Sequence, residues 1–117
     1  MILLPRGNPV KENINFEDFS KMDIRVGTIL EAEKVAKTKK LLKLKVDTGI
    51  DQRTVVSGIA EYYKPEDIIG KQVSILVNLA SKSLRGIESQ GMILMAEDAD
   101  GSLHFVSPHA NIKAGSD

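Results

Sequence analysis

The side chains best equipped for chemistry in this chain are cations and small hydrogen-bonding groups, which bind rather than make or break bonds. From Asn78 to Met92 the sequence reads Asn-Leu-Ala-Ser-Lys-Ser-Leu-Arg-Gly-Ile-Glu-Ser-Gln-Gly-Met. The stretch holds two cations, Lys82 and Arg85, three serines, two glycines and the amides of Asn78 and Gln90. It joins two apolar, strand-like segments, Val73 to Val77 and Met92 to Ala96. A simple hairpin needs only about two to five linking residues. A longer polar connection is either a solvated loop or a binding surface carried on a rigid β scaffold.

A second cluster precedes it. Lys34, Lys37, Lys39, Lys40, Lys43 and Lys45 fall within twelve residues that contain no acid. The whole chain has 16 basic and 16 acidic residues, so the remainder must carry a net charge of −6. Segregation of this kind sets up a local positive field on a neutral protein. The competing reading is a solvated strand edge whose lysines discourage aggregation. Arg53, Lys82 and Arg85 add weight to binding.

Other chemistries find little support. There is no cysteine, and His104 and His109 have no carboxylate partner at ligand spacing, so neither a metal nor a cofactor is expected. No nucleophile–base pair, paired-carboxylate motif or phosphate-cradling glycine loop is present, and no enzyme activity is expected of these 117 residues. No apolar run approaches the roughly 20 residues that span a bilayer. The opening Met-Ile-Leu-Leu-Pro-Arg-Gly lacks a basic segment ahead of its apolar residues, unlike a secretory signal. A reducing, cytoplasmic setting is expected, with no membrane partner.

The elements that must position these groups read mostly as β. Ile24 to Val35 alternates, with Ile24, Val26, Thr28, Leu30 and Ala32 expected on the core face. Leu42 to Asp47 alternates more cleanly and turns its lysines outward. Thr48 to Asp51 reads as a turn into a strand at Arg53 to Ser57. Lys64-Pro65-Glu66-Asp67, closed by Gly70, predicts one helical turn. Val73 to Val77, Met92 to Ala96 and Leu103 to Val106 supply three further strands, with Met92 expected in the core. Phe16 to Phe19 predicts a small helical plug, and Gly27 a bulge. The fold class is all-β: a five-stranded OB-fold barrel with a short helical insert and a C-terminal extra strand. Residues 1–14, with Pro5, Gly7 and Pro9, read as a leader or linker, and 15–117 as the domain.

Several segments together carry a family resemblance. They are Phe19-Ser-Lys-Met-Asp-Ile-Arg-Val-Gly27, Lys40-Leu-Leu-Lys-Leu44, Arg53-Thr-Val-Val-Ser-Gly-Ile59, Val77-Asn-Leu79 and Arg85-Gly-Ile-Glu-Ser-Gln-Gly-Met92. In this order they resemble the tRNA-binding domain appended to the C-terminus of many bacterial methionyl-tRNA synthetases. The resemblance implies an OB-fold that binds tRNA by shape and backbone, aids aminoacylation, and often forms a homodimer. The synthetase catalytic domain would then be a partner in cis or in trans, with no DNA specificity. Relatives include free dimeric tRNA-binding proteins, and export-associated chaperones share the fold and the Asp-Ile-Arg-Val-Gly opening. Two departures stand out: a proline and one cation of the family pattern are missing from Ala80 to Leu84, and Val35 to Lys39 replaces a His-Pro element.

On that reading Lys39, Lys40, Lys43, Lys45 and Lys82 meet phosphates as point charges, while Arg53 or Arg85 forks onto one. Ser57, Asn78 and Ser89 are placed to hydrogen-bond base edges or ribose hydroxyls. Met92 could pack under a base as an alternative to its core position. The chain has only two tyrosines and three phenylalanines, none in either cluster, which argues against extended base stacking.

Overall fold

The computed structural model describes residues 9–117. Chain order is α1 (Phe16–Ser20), β1 (Ile24–Lys34), β2 (Leu42–Asp47), β3 (Gln52–Ser57), α2 (Pro65–Ile68), β4 (Gln72–Leu76), β5 (Lys82–Leu84), β6 (Ile87–Ser89), β7 (Met92–Ile93), β8 (Met95–Glu97) and β9 (Leu103–Phe105). Five strands form one antiparallel sheet in the order β3-β2-β1-β4-β7, and β5–β6 and β8–β9 are separate hairpins. The sheet curls into a half-barrel around Ile29, Leu42, Leu44, Val46, Val73 and Ile75. The architecture is the mostly β, five-stranded one expected from the strand pattern.

Alternation explains β2 directly. Leu42, Leu44 and Val46 are buried, and the lysines between them face out. The turn after it is closed by Thr48, which is fully buried and donates its hydroxyl to the Asp51 carboxylate at 2.6 Å. Pro65 opens α2, Ile68 seals the core beneath it, and Gly70 ends it at φ +90°.

Strand β1 departs from expectation. Its register against β2 shifts between Ile29 and Glu31, leaving Leu30 as the bulged, exposed residue. Ile29 and Gly27 are the buried positions, not Thr28 and Leu30. The slip after Ile29 puts Ala32 on the core face together with Gly27 and Ile29, so no uninterrupted alternation can place both halves of the strand. Gly27 serves another purpose: a Cβ there would lie 2.5 Å from Val46 Cγ1, so its absence lets β2 pack across the core.

The open edge of β3 is covered partly by side chains. Val56 N–H donates to Ser89 Oγ at 2.9 Å, and Thr54 N–H donates to Gln90 Oε1 at 3.1 Å. Gln90 N–H returns a bond to Thr54 O at 2.8 Å. These groups satisfy a row of main-chain donors that would otherwise be unpaired.

The expected plug at the start is a surface helix. Asn15 caps α1 by accepting from Asp18 N–H at 2.9 Å, but Phe16 is 77% exposed and touches Phe19 rather than the core. Near the other end, Leu103 and Phe105 pack partly against the core, and Phe105 stacks on Tyr63 with ring centroids 4.8 Å apart. Ser74 N–H donates to Val106 O, and Gly115 N–H to Val26 O, so the final segment lies along β4 and β1. Of the expected leader at 1–14, residues 1–8 lie outside the described residues, and 9–14 are exposed without regular structure.

Candidate nucleic-acid interface

The turn between β1 and β2 presents the lysine cluster. Val35 is buried, its N–H donates to Leu41 O at 3.1 Å, and the Thr38 hydroxyl donates to Val35 O at 2.8 Å. Anchored there, the turn leaves Lys34, Lys37, Lys39 and Lys40 exposed. None of these lysines enters an ion pair among the described residues. Lys37 takes a left-handed conformation, φ +63°, that is uncommon outside glycine.

Lys43 and Lys45 behave differently. In register they oppose Glu33 and Glu31, and their ammonium groups lie 3.7 and 3.1 Å from those carboxylates. The acids sit just ahead of the lysine run in sequence, and the hairpin brings them alongside it. Exposed pairs of this kind are weak, so a phosphate can compete for either lysine.

The stretch from Asn78 to Met92 is built rather than loose. Lys82–Leu84 and Ile87–Ser89 pair as a hairpin whose two turn residues are Arg85 and Gly86. Both have positive φ, +53° and +79°, the conformation of a two-residue type I′ turn. Gly86 is therefore required by the turn, and open space surrounds the position its Cβ would occupy. Arg85 projects from the tip, exposed and outside every ion pair among the described residues. With Lys34, Lys43, Val35 and Ile87 it lines a cleft of about 370 Å³, in which Glu33 is the acid.

Three expected contact residues are engaged by other parts of the chain. Arg53 donates through Nε to Asp51 at 3.0 Å, and through Nη1 to Val77 O and to Gln90 O. Its hydrogen bond, followed by that of Thr48, holds the Asp51 carboxyl below its ordinary value of 3.8. Asn78 accepts from Asp23 N–H at 2.9 Å and donates to Lys21 O at 2.5 Å, engaging both ends of its amide. The Ser89 hydroxyl, 6% exposed, is the acceptor for Val56. Asp23 itself is held below 3.8, chiefly by its bond from Arg25, whose guanidinium reaches both carboxylate oxygens at 2.9 and 3.0 Å.

Ser57, Lys82, Ser89 and Met92 line a second cavity, of about 420 Å³, beside the strands of the hairpin. Met92 is 52% exposed, so its expected core position is corrected: β7 is only two residues long, and Ile93 is the one that faces in. Leu79, Leu84, Met95 and Leu103 also line that cavity and were not singled out as contact residues from the sequence. Their apolar character was visible there, but no local pattern marks residues from four segments as neighbours. Of the histidines, His104 Nε2 lies 3.0 Å from Ser102 Oγ, which donates to Asp100 at 2.6 Å.

Comparison with known proteins adds a family. Residues 24–117 match the profile of a family described as "Putative tRNA binding domain". The chain is 71% identical over 108 residues to methionine–tRNA ligase of Cytophaga hutchinsonii, covering 92% of this chain and 16% of the ligase. It is 65% identical over 111 residues to that of Christiangramia forsetii, covering 94% and 16%. The chain thus spans 16% of the length of these curated relatives. Among solved structures, a MetRS-related protein from Pyrococcus horikoshii is similar at a TM-score of 0.84 and 40% identity, covering 91% of this chain and 97% of that one. Chaperone CsaA from Bacillus anthracis is similar at 0.81 and 29% identity, covering 90% and 97%.

Proposed function

This chain belongs to the tRNA-binding domain family, and from that membership we propose that it binds tRNA at the cleft between the β1–β2 turn and the β5–β6 hairpin. The observation that carries the placement is Arg85, a guanidinium outside every ion pair among the described residues, held at a two-residue turn and facing the same cleft as Lys34 and Lys43. Lys37, Lys39 and Lys40 extend the positive surface along the neighbouring turn, and Lys45 continues it along β2. Phosphates would be held as point charges by the lysines and as a forked pair by Arg85. Arg53, Asn78 and Ser89 act on this reading as braces that hold the surface in shape.

The domain works without catalysis of its own, as a C-terminal appendage of a methionine–tRNA ligase acting in the cytoplasm. Tethering there raises the effective concentration of tRNA beside the catalytic unit. No helix among the described residues is long and apolar enough to cross a membrane. Exposed Phe16, Phe19, Met22, Val106 and Ile112 favour a twofold homodimer, to be checked by light scattering at high micromolar concentration.

A salt titration tests the electrostatic core of the proposal. Neutralising roughly four to six phosphates gives a slope of about −3 to −5 in log affinity against log salt. Affinity for tRNA that does not change with salt would refute it, as would equal affinity for duplex DNA of matched length. A peptide-binding reading has one observation in its favour, the apolar cavity containing Met92, and the similar chaperone structures make it worth a direct test.

A further inference from the structure

The β5–β6 hairpin borders two cavities, a cationic one at its turn and a largely apolar one along its strands. Its turn, with Arg85 and Ile87, faces the cationic cleft, while Lys82 and Leu84 of β5 face the second cavity. We propose that this second cavity receives one unstacked nucleobase of the bound RNA. The inference rests on the tRNA-binding reading and adds the chemical group recognised.

The cavity has a sealed apolar floor in Ile59 and Ile93, which are 1% and 6% exposed. Met92 and Met95 form part of its wall. At about 420 Å³ it falls within the range of roughly 300–1,000 Å³ usual for small-ligand sites. A base needs apolar, polarizable contact on its faces and hydrogen bonds at its edges. Methionine thioethers supply the first in the absence of aromatic residues. Ser57 supplies the second: it is half-buried, and its hydroxyl makes no hydrogen bond among the described residues.

Charge decides between occupants. Lys82 lines the cavity, no carboxylate among the described residues does, and Arg85 sits at the adjoining turn. A nucleotide seated by its base would lay its own phosphates against these cations. An apolar peptide side chain would fit the same floor but leave both cations without a counter-charge. Single-stranded bulges and loops are also the parts of an RNA whose bases can be splayed out for reading.

The chain has four methionines, and two of them, Met92 and Met95, line this cavity. Met22 lies in a different hollow beside Asp23 and Asn78 and serves as the control. With carbon-13 labelled methionine methyls, tRNA and an RNA hairpin carrying one bulged nucleotide should both shift Met92 and Met95 while leaving Met22 in place. The same hairpin fully paired should bind through the cations without shifting them. Met92→Ala should weaken binding of the bulged hairpin by at least about fivefold, the lower end of what losing a stacked base costs, with an unchanged salt slope. Met92→Leu should retain most of the affinity. If bound tRNA leaves both methyls unmoved, the base site is overturned and the tRNA reading stands. If tRNA fails to bind at low salt, both fall. Methyl shifts produced by an apolar peptide and not by RNA would assign the cavity to a peptide instead.

Discussion

Lys45 Nζ lies 3.1 Å from Glu31 Oε2, directly across the β1–β2 ladder, and two pairs further along Lys43 faces Glu33 in the same way. Each glutamate competes with a phosphate for its lysine. Glu31→Gln combined with Glu33→Gln should tighten tRNA binding and steepen the salt slope by up to about two, one for each lysine freed. Stability should change by less than about 1 kcal/mol per pair, since both pairs are exposed. Filter binding across a salt series and a thermal melt give the two numbers.

Arg85 can be neutralised without harming the turn that carries it. Asparagine suits the positive φ of a type I′ turn, so Arg85→Asn should leave the melting temperature unchanged or slightly higher. Affinity for tRNA should fall by about 1.5–3 kcal/mol, the range for a charge-assisted bond. The salt slope should lose about one. Loss of stability together with unchanged affinity would mean that the arginine serves the fold.

Arg53 should give the opposite result. Arg53→Met removes the donors to Asp51, Val77 O and Gln90 O and should lower stability by about 1.5–3 kcal/mol in urea unfolding, with the tRNA salt slope intact. The same contact has a pH signature. With the Asp51 carboxyl held below 3.8 in the folded protein, the unfolded chain takes up its proton first as pH falls. The stabilisation is present above 3.8 and is lost as pH drops through the lower folded value. In Arg53→Met that acid limb should be shallower.

Gly27→Ala tests the core contact. Its methyl would meet Val46 Cγ1 at 2.5 Å, and overpacking of this sort costs about 1–3 kcal/mol. The denaturation midpoint should fall with no change in m-value. Val46→Ala in the same background should recover part of the loss, because it removes the atom that is struck.

Much of the scaffold was legible in the sequence. Alternation in Leu42 to Asp47 told which side chains face in, Pro65 and Gly70 bracketed the short helix, and Thr48 to Asp51 marked its turn. The linked segments from Phe19 to Met92 were enough to reach the family. Such signals are local: each depends on the pleat, a cap or a turn within a few residues.

What tertiary structure decided is where polar side chains end up. Arg53 reaches a carbonyl 24 residues away and another 37 away, Asn78 reaches back 55 and 57 residues, and Ser89 supports a strand 33 residues earlier. Their types alone suggested ligand contacts and could not show these internal partners, because a hydrogen-bonding side chain carries no mark of them. Curling of the sheet brings main-chain donors and carbonyls to them, and buried backbone groups must be satisfied. The bulge at Leu30 belongs to the same class: it is set by pairing with β2, and no residue of β1 announces it. Lys34, Lys82 and Arg85 remain pointing outward for the complementary reason, that barrel closure brings no carboxylate among the described residues within ion-pairing distance of them.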